Sequence, residues 1–127
     1  MDSDMIGQVC QVYRVQNKKG DGPYRKGMTR SVLFRHWLSP EHPTPFGDIG
    51  ICREPGKDEL CGFESLEDLH GWFSQDEIEE LSKLGFEIVV VRGLVTAVGA
   101  KQLLFEKMPE EDRGNFTCFK AMEEMVA

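Results

Sequence analysis

The sequence predicts an α+β fold, a compact and mainly antiparallel sheet carrying several short helices, and three stretches carry that expectation. Gln8 to Gln16 alternates Val9, Gln11, Tyr13 and Val15 against Cys10, Val12 and Arg14, which is strand spacing with one partly polar face. "FEIVVVRG" is a β-branched run ended by Gly93, and "KQLLFEK" reads as a second strand, so the two form an antiparallel pair over a core. Between these lie two serine-led helical stripes. Ser65 with Asp68 in the first turn precedes Leu66, Leu69, Trp72 and Phe73. Ser74 with Glu77 has the form of a capping box before Ile78, Leu81 and Leu84, and Gly85 supplies the left-handed stop.

The remaining elements are read more coarsely. Asn17 to Gly22 is a turn, Met28 to Leu38 has the apolar spacing of a helix, and "SPEHPTPFGDIG" is an ordered irregular loop, because its prolines cannot sit inside a helix. Leu60 to Phe63 reads as a short strand, and "VTAVGA" as a strand or a turn. Phe116, Phe119, Met122 and Met125 predict a docked terminal helix. The expected core is Tyr13, Leu69, Trp72, Phe73, Leu81, Phe86, Val89, Val91, Leu103 and Phe105.

At 127 residues with 40% apolar side chains, the chain has the size of one globular domain. Residues 1–7 are expected to fray, leaving 8–127 as a single domain. No apolar run has membrane-spanning length and no secretory n-region and h-region precede the fold, which points to a cytoplasmic protein without a membrane partner. The four cysteines, Cys10, Cys52, Cys61 and Cys118, form no C-x-x-C pair, so they read as reduced thiols and no metal is expected. A site built from Cys52, Cys61 and His42 is the one metal set the composition leaves open.

Charge is distributed unevenly. Between Val12 and Arg35 seven basic residues face one acid, Asp21, whereas between Glu54 and Glu87 eleven acids face Lys57 and Lys83. Glu67, Asp68, Asp76, Glu77, Glu79 and Glu80 are therefore a candidate binding surface, if they are not simply a solvated face. The net charge of −7 argues against direct nucleic-acid binding.

Arg14 poses the sharpest question, since an arginine inside a strand is either solvated, paired or waiting for an anion. Ser65 has a cap to explain it, and His42 and His70 lack a neighbouring nucleophile in sequence. P-loop, dinucleotide-binding and metalloprotease motifs are absent. The order of Tyr13-Arg14 on a first strand, Phe63-Glu64-Ser65 before a helix, and Gln102 opening a late strand resembles ADP-ribosyltransferase-like domains. That resemblance implies NAD as cofactor, with Arg14, Tyr13 and Ser65 binding it and Arg14, Ser65, Gln102 and Glu106 as the catalytic set. The family's glutamate falls two residues after its Gln or Glu, where this chain has Leu104; Glu106 is one step further on the same face.

The succession Y-R-V, G-P-Y, H-P-x-P, F-x-S-L-x-x-L-x-x-W-F and Q-x-x-F also resembles small proteins of bacteriophages and prophages. This second resemblance implies a stoichiometric inhibitor, of the anti-CRISPR or another host-takeover kind, binding a host or defence protein, for instance at its nucleic-acid-binding groove, in an infected bacterium. Such a protein needs no cofactor. Whether the chain is an enzyme stays open at this point, with an NAD-dependent ADP-ribosyltransferase of divergent active site as the alternative.

Overall fold

The structure is a computed structural model that describes residues 5–24, 32–33, 36 and 39–108, together with the backbone of 117–119. In chain order its elements are β1 (Val9–Gln16), β2 (Glu59–Gly62), α1 (Leu66–Trp72), α2 (Gln75–Lys83), β3 (Glu87–Val98), β4 (Leu103–Lys107) and β5 (Thr117–Phe119). Among the described residues, no helix is long and apolar enough to cross a membrane.

Strand β3 is the spine. It continues through Gly93, where the sequence suggests an end, and takes in Val95 to Val98. Along one edge it pairs antiparallel with β1, setting Val12 opposite Val91 and Gln16 opposite Glu87. Its other edge is shared between β5, beside Ile88 to Val90, and β4, beside Gly93 to Val98. With β2 on β4, the strand order is β1-β3-β4-β2.

The two ends of this sheet meet. Tyr13 and Phe63 exchange backbone hydrogen bonds of 2.9 and 2.8 Å, linking the outer edge of β1 to the end of β2. A bulge between Val95 and Ala97 helps the long strand curl. Val12, Val89, Val91, Val95, Val98, Leu103 and Phe105 fill the enclosed side. Phe105 fits because two partners lack side chains: a Cβ at Gly93 would overlap its ring, and one at Gly62 would approach it to 3.0 Å.

Tyr13, Val15 and Ile88 join a second cluster, with Phe63, Leu69, Trp72, Phe73, Ile78, Leu81 and Phe86. The helices that supply much of it start as the sequence predicts. Ser65 accepts from the Asp68 N–H, and Ser74 and Glu77 form a reciprocal capping box. Helix α2 ends in a Schellman turn, with the Phe86 N–H on the Leu81 carbonyl, the Gly85 N–H on that of Ser82, and Gly85 at φ +92°.

Of the expected core, all but Tyr13, which is half-buried, are buried. Two expected helices fare differently. Met28 to Leu38 lies mostly outside the described residues. Phe119, expected on a terminal helix, instead ends strand β5, because its backbone pairs with Ile88; the rest of that expected helix lies outside the described residues. Of the segment 1–7 expected to fray, residues 1–4 lie outside the described residues, while the Met5 carbonyl accepts from the Gln8 N–H at 3.0 Å and the Gly7 N–H donates to the Val95 carbonyl at 2.8 Å.

Candidate functional site

Arg14 is neither solvated nor free. Alternation puts it on the same side of β1 as Val12, just past the point where the bridge to Phe63 ends the contact between β1 and β2. It is 6% exposed, and its guanidinium spans the gap, Nη1 donating to the Cys61 carbonyl at 2.8 Å. Nε donates to Gln16 Oε1 at 2.9 Å and Nη2 to the Gly20 carbonyl at 3.1 Å. Burial lowers its pKa, while the nearby Cys61 and Asp21 oppose that shift. The arginine thus ties the two strands and the Asn17–Asp21 turn together.

Beside it lies a cavity of about 330 Å³. Arg14, Glu59, Cys61 and Gln102 line its sheet side, and Tyr24, Phe63, Trp72 and Phe73 give it an aromatic wall. Burial pushes the Cys61 thiol up to about 11, so it stays protonated and is no nucleophile near neutrality. Glu59 is held down at about 2, chiefly by the hydrogen bond from Arg53, with Thr96 and the Gly56 N–H adding to it against the opposing effect of burial. Thr96 is the bulge residue of β3, so the irregularity that bends the strand also aims a hydroxyl at Glu59.

The aromatic wall is backed by a chain of polar contacts. Trp72 Nε1 donates to the Tyr24 hydroxyl, Tyr24 Oη lies 2.6 Å from His36 Nδ1, and His36 Nε2 lies 3.0 Å from Glu77 Oε1. The His42 ring stacks on that of His36 at 3.9 Å and bonds through Nε2 to the Trp72 carbonyl at 2.7 Å. His70 stands apart from this chain: its Nδ1 is buried with no hydrogen-bond partner, and burial lowers its pKa.

A second feature is the loop from Ser39 to Cys52. Asp48, 1% exposed, takes the backbone N–H groups of Ala100, Lys101 and Gln102 on its carboxylate. The Ala100 N–H donates to the Ile49 carbonyl, and Gln102 Nε2 to that of Pro43. Fixed in this way to the turn between β3 and β4, the loop exposes Phe46 and Ile49 by 62% and 79%.

The structure sorts the residues singled out by the sequence. Arg14 and Gln102 line one cavity. Ser65 caps α1, Tyr13 packs against the helices, and Glu106 is exposed on β4 opposite Glu59, so these three do not line it. Of the acidic set, Glu67, Asp76, Glu79 and Glu80 are exposed and Asp68 is half-buried. Glu77 does not belong to that surface: it is 6% exposed and committed to Ser74 and His36. His42, Cys52 and Cys61 do not assemble, and among the described residues no group of three potential ligands could hold a metal ion. The sequence did not single out Tyr24, His36 or Asp48, whose partners lie 12 to 54 residues away.

A small curled sheet closed by a strand bridge, with two capped helices on one side, defines a small α+β protein without the motifs of a nucleotide-binding enzyme. The chain belongs to the bacteriophage T4 Y00F protein family, whose model matches residues 5–118. No curated protein and no solved structure gives a significant match to it.

Proposed function

We propose that this phage-family protein is a binding protein that engages and inhibits a host or defence macromolecule in the cytoplasm of an infected bacterium. The observation that carries this reading is the Asp48-anchored loop with Phe46 and Ile49 exposed at its surface. Large apolar side chains on a loop already fixed in place lose little freedom on binding and are the kind of anchor that dominates interface energies. The exposed acids of α1 and α2 add a steering field. Glu67, Asp76 and Glu79 have no ion-pair partner among the described residues, and Glu80 is paired only with Lys83 on its own helix. A basic partner surface, including a nucleic-acid-binding groove of the anti-CRISPR kind, suits such a field.

Affinity capture from a bacterial lysate with wild type and with Phe46→Ser/Ile49→Ser tests this. A stoichiometric partner held by wild type and lost by an equally stable loop variant is the expected result. A partner retained equally by both removes the loop from the account.

The alternative, an NAD-dependent ADP-ribosyltransferase, has one observation in its favour, the shared cavity of Arg14 and Gln102. It is weaker because three donor groups of Arg14 are already engaged by the protein. Calorimetric titration of NAD separates the two: heat that disappears in Arg14→Lys supports the transferase, and no heat at millimolar NAD removes it.

A further inference from the structure

The bridge between Tyr13 and Phe63 is the last rung between β1 and β2. Tyr13 uses its N–H and C=O on Phe63, so alternation along β1 turns the N–H and C=O of Val15 to the same outer edge. By the same alternation along β2, the backbone groups of Cys61 face them, and Val15 and Cys61 would form the next rung. No hydrogen bond joins the two. The Cys61 carbonyl is taken by Arg14 Nη1 at 2.8 Å, and the strands part around the cavity that Val15 and Cys61 both line. Val15 is 4% exposed, yet its N–H and C=O have no hydrogen-bond partner among the described residues. An inward strand edge of this kind is where a ligand finds a backbone donor and acceptor side by side.

We propose that this seam is a binding site for a small, uncharged planar heterocycle that presents a hydrogen-bond donor beside an acceptor, the chemistry of a nucleobase, taken as the free base or nucleoside. The N–H and C=O of one extended residue point the same way and match such a pair: the acceptor on the ring takes the Val15 N–H, and the neighbouring donor serves the Val15 C=O. Phe63, Trp72 and Phe73, which line the same cavity, supply the aromatic surface against which a flat ring packs. Gln102 lines it too; its Nε2 is taken by the Pro43 carbonyl, and its Oε1 stays available as a further acceptor. The ionised lining residues do not call for a charged ligand. Arg14 is engaged by Gln16, Cys61 and Gly20, Glu59 by Arg53, Thr96 and the Gly56 N–H, and Asp21 offsets the Arg14 charge. At about 330 Å³ the cavity stands at the small end of the roughly 300–1,000 Å³ of ligand pockets, which suits one base. The net charge of −7 disfavours a base still carried on a phosphate strand. This inference goes beyond the binding reading and does not depend on it.

The test is an amide NMR titration of the full chain with adenine, cytosine, thymine and guanosine. At least one should bind at millimolar or lower concentration and move the Val15 and Cys61 amide signals, with the Val15 proton shifting downfield as its N–H gains an acceptor. The methylated counterpart of that base, with the pairing donor blocked (for adenine, its dimethylamino form), should bind about tenfold more weakly, because the Val15 carbonyl then loses its partner. A single-stranded oligonucleotide of the same base should bind no more tightly than the base. No shift with any of the four, shifts confined to residues outside the cavity, or equal affinity for the methylated base overturns the proposal. Tighter binding of the oligonucleotide overturns the choice of a free base as ligand.

Discussion

The buried carboxylate of Asp48 occupies the space that a side chain at Gly99 would need: a Cβ built there would overlap the Asp48 carboxyl group. The turn between β3 and β4 can therefore close over the carboxylate and direct the N–H groups of Ala100, Lys101 and Gln102 at it. Nothing in "TPFGDIG" or "VGAKQ" alone announces this, because the two segments are separated by strands, helices and some fifty residues.

Asp48→Ala should leave these backbone donors without their acceptor and lower stability by about 2–3 kcal/mol. Gly99→Ala should displace the carboxylate and act in the same direction. Urea denaturation of both variants checks this; an unchanged midpoint in Asp48→Ala would mean that the loop is held by other contacts.

The enclosed side of the sheet should be sensitive to volume in both directions. Phe105→Ala should cost about 3–5 kcal/mol, and Gly93→Ala about 1–3 kcal/mol by overpacking the same ring. Combining Gly93→Ala with Phe105→Leu should be less harmful than the sum of the two single changes, since the smaller side chain gives way to the new methyl. Strict additivity in thermal denaturation would show that the two sites do not compete for space.

Ser74→Ala should lower stability by about 1 kcal/mol through loss of the cap on α2. Because the lost Ser74 hydroxyl accepts from the Glu77 N–H, and the Glu77 carboxylate is bonded to His36, the same change should also perturb the His36 imidazole resonances in an NMR spectrum. Unmoved histidine signals would uncouple the cap from the polar chain behind the cavity.

Glu59 should make the fold sensitive to acid. Its side chain is 8% exposed, and Arg53 holds its pKa at about 2, below the ordinary 4.5. A carboxylate whose pKa is lower in the folded state stabilises fully above the unfolded value and loses that contribution as pH falls through the folded one, here between 4.5 and about 2. Melting temperatures of wild type should drop more steeply through that window than those of Glu59→Gln. Parallel curves would exclude Glu59 as a source of the acid response.

How much of this was legible in the sequence depends on how far apart the interacting residues lie. The two serine caps and the Gly85 stop are local, spanning three to five residues, and the sequence is enough to find them. Gly93 misleads because a glycine in a β-branched run has two readings, a strand end or a close approach. Only the ring of Phe105, on another strand, decides between them. The polarity of Arg14 was visible, but its partner on the other strand was not, since Cys61 lies 47 residues away and offers only a backbone carbonyl. Glu77 looked like one of a row of surface acids, and only the placement of His36, 41 residues earlier, turns it inward. Phe46 and Ile49 sit in a proline-rich loop whose rigidity comes from Asp48, so their exposure could not be read from hydropathy.

A binding protein anchored by its locked loop and steered by its acidic helices, as proposed above, has a kinetic signature with any partner recovered with it. Surface plasmon resonance of that complex across a salt series, with wild type, Phe46→Ser/Ile49→Ser and Glu79→Lys/Glu80→Lys, reads that signature. The loop variant should dissociate faster at every salt concentration. The charge variant should associate more slowly at low salt and converge with wild type as screening rises. Association and dissociation rates that both substitutions leave unchanged, in proteins as stable as wild type, would contradict the account.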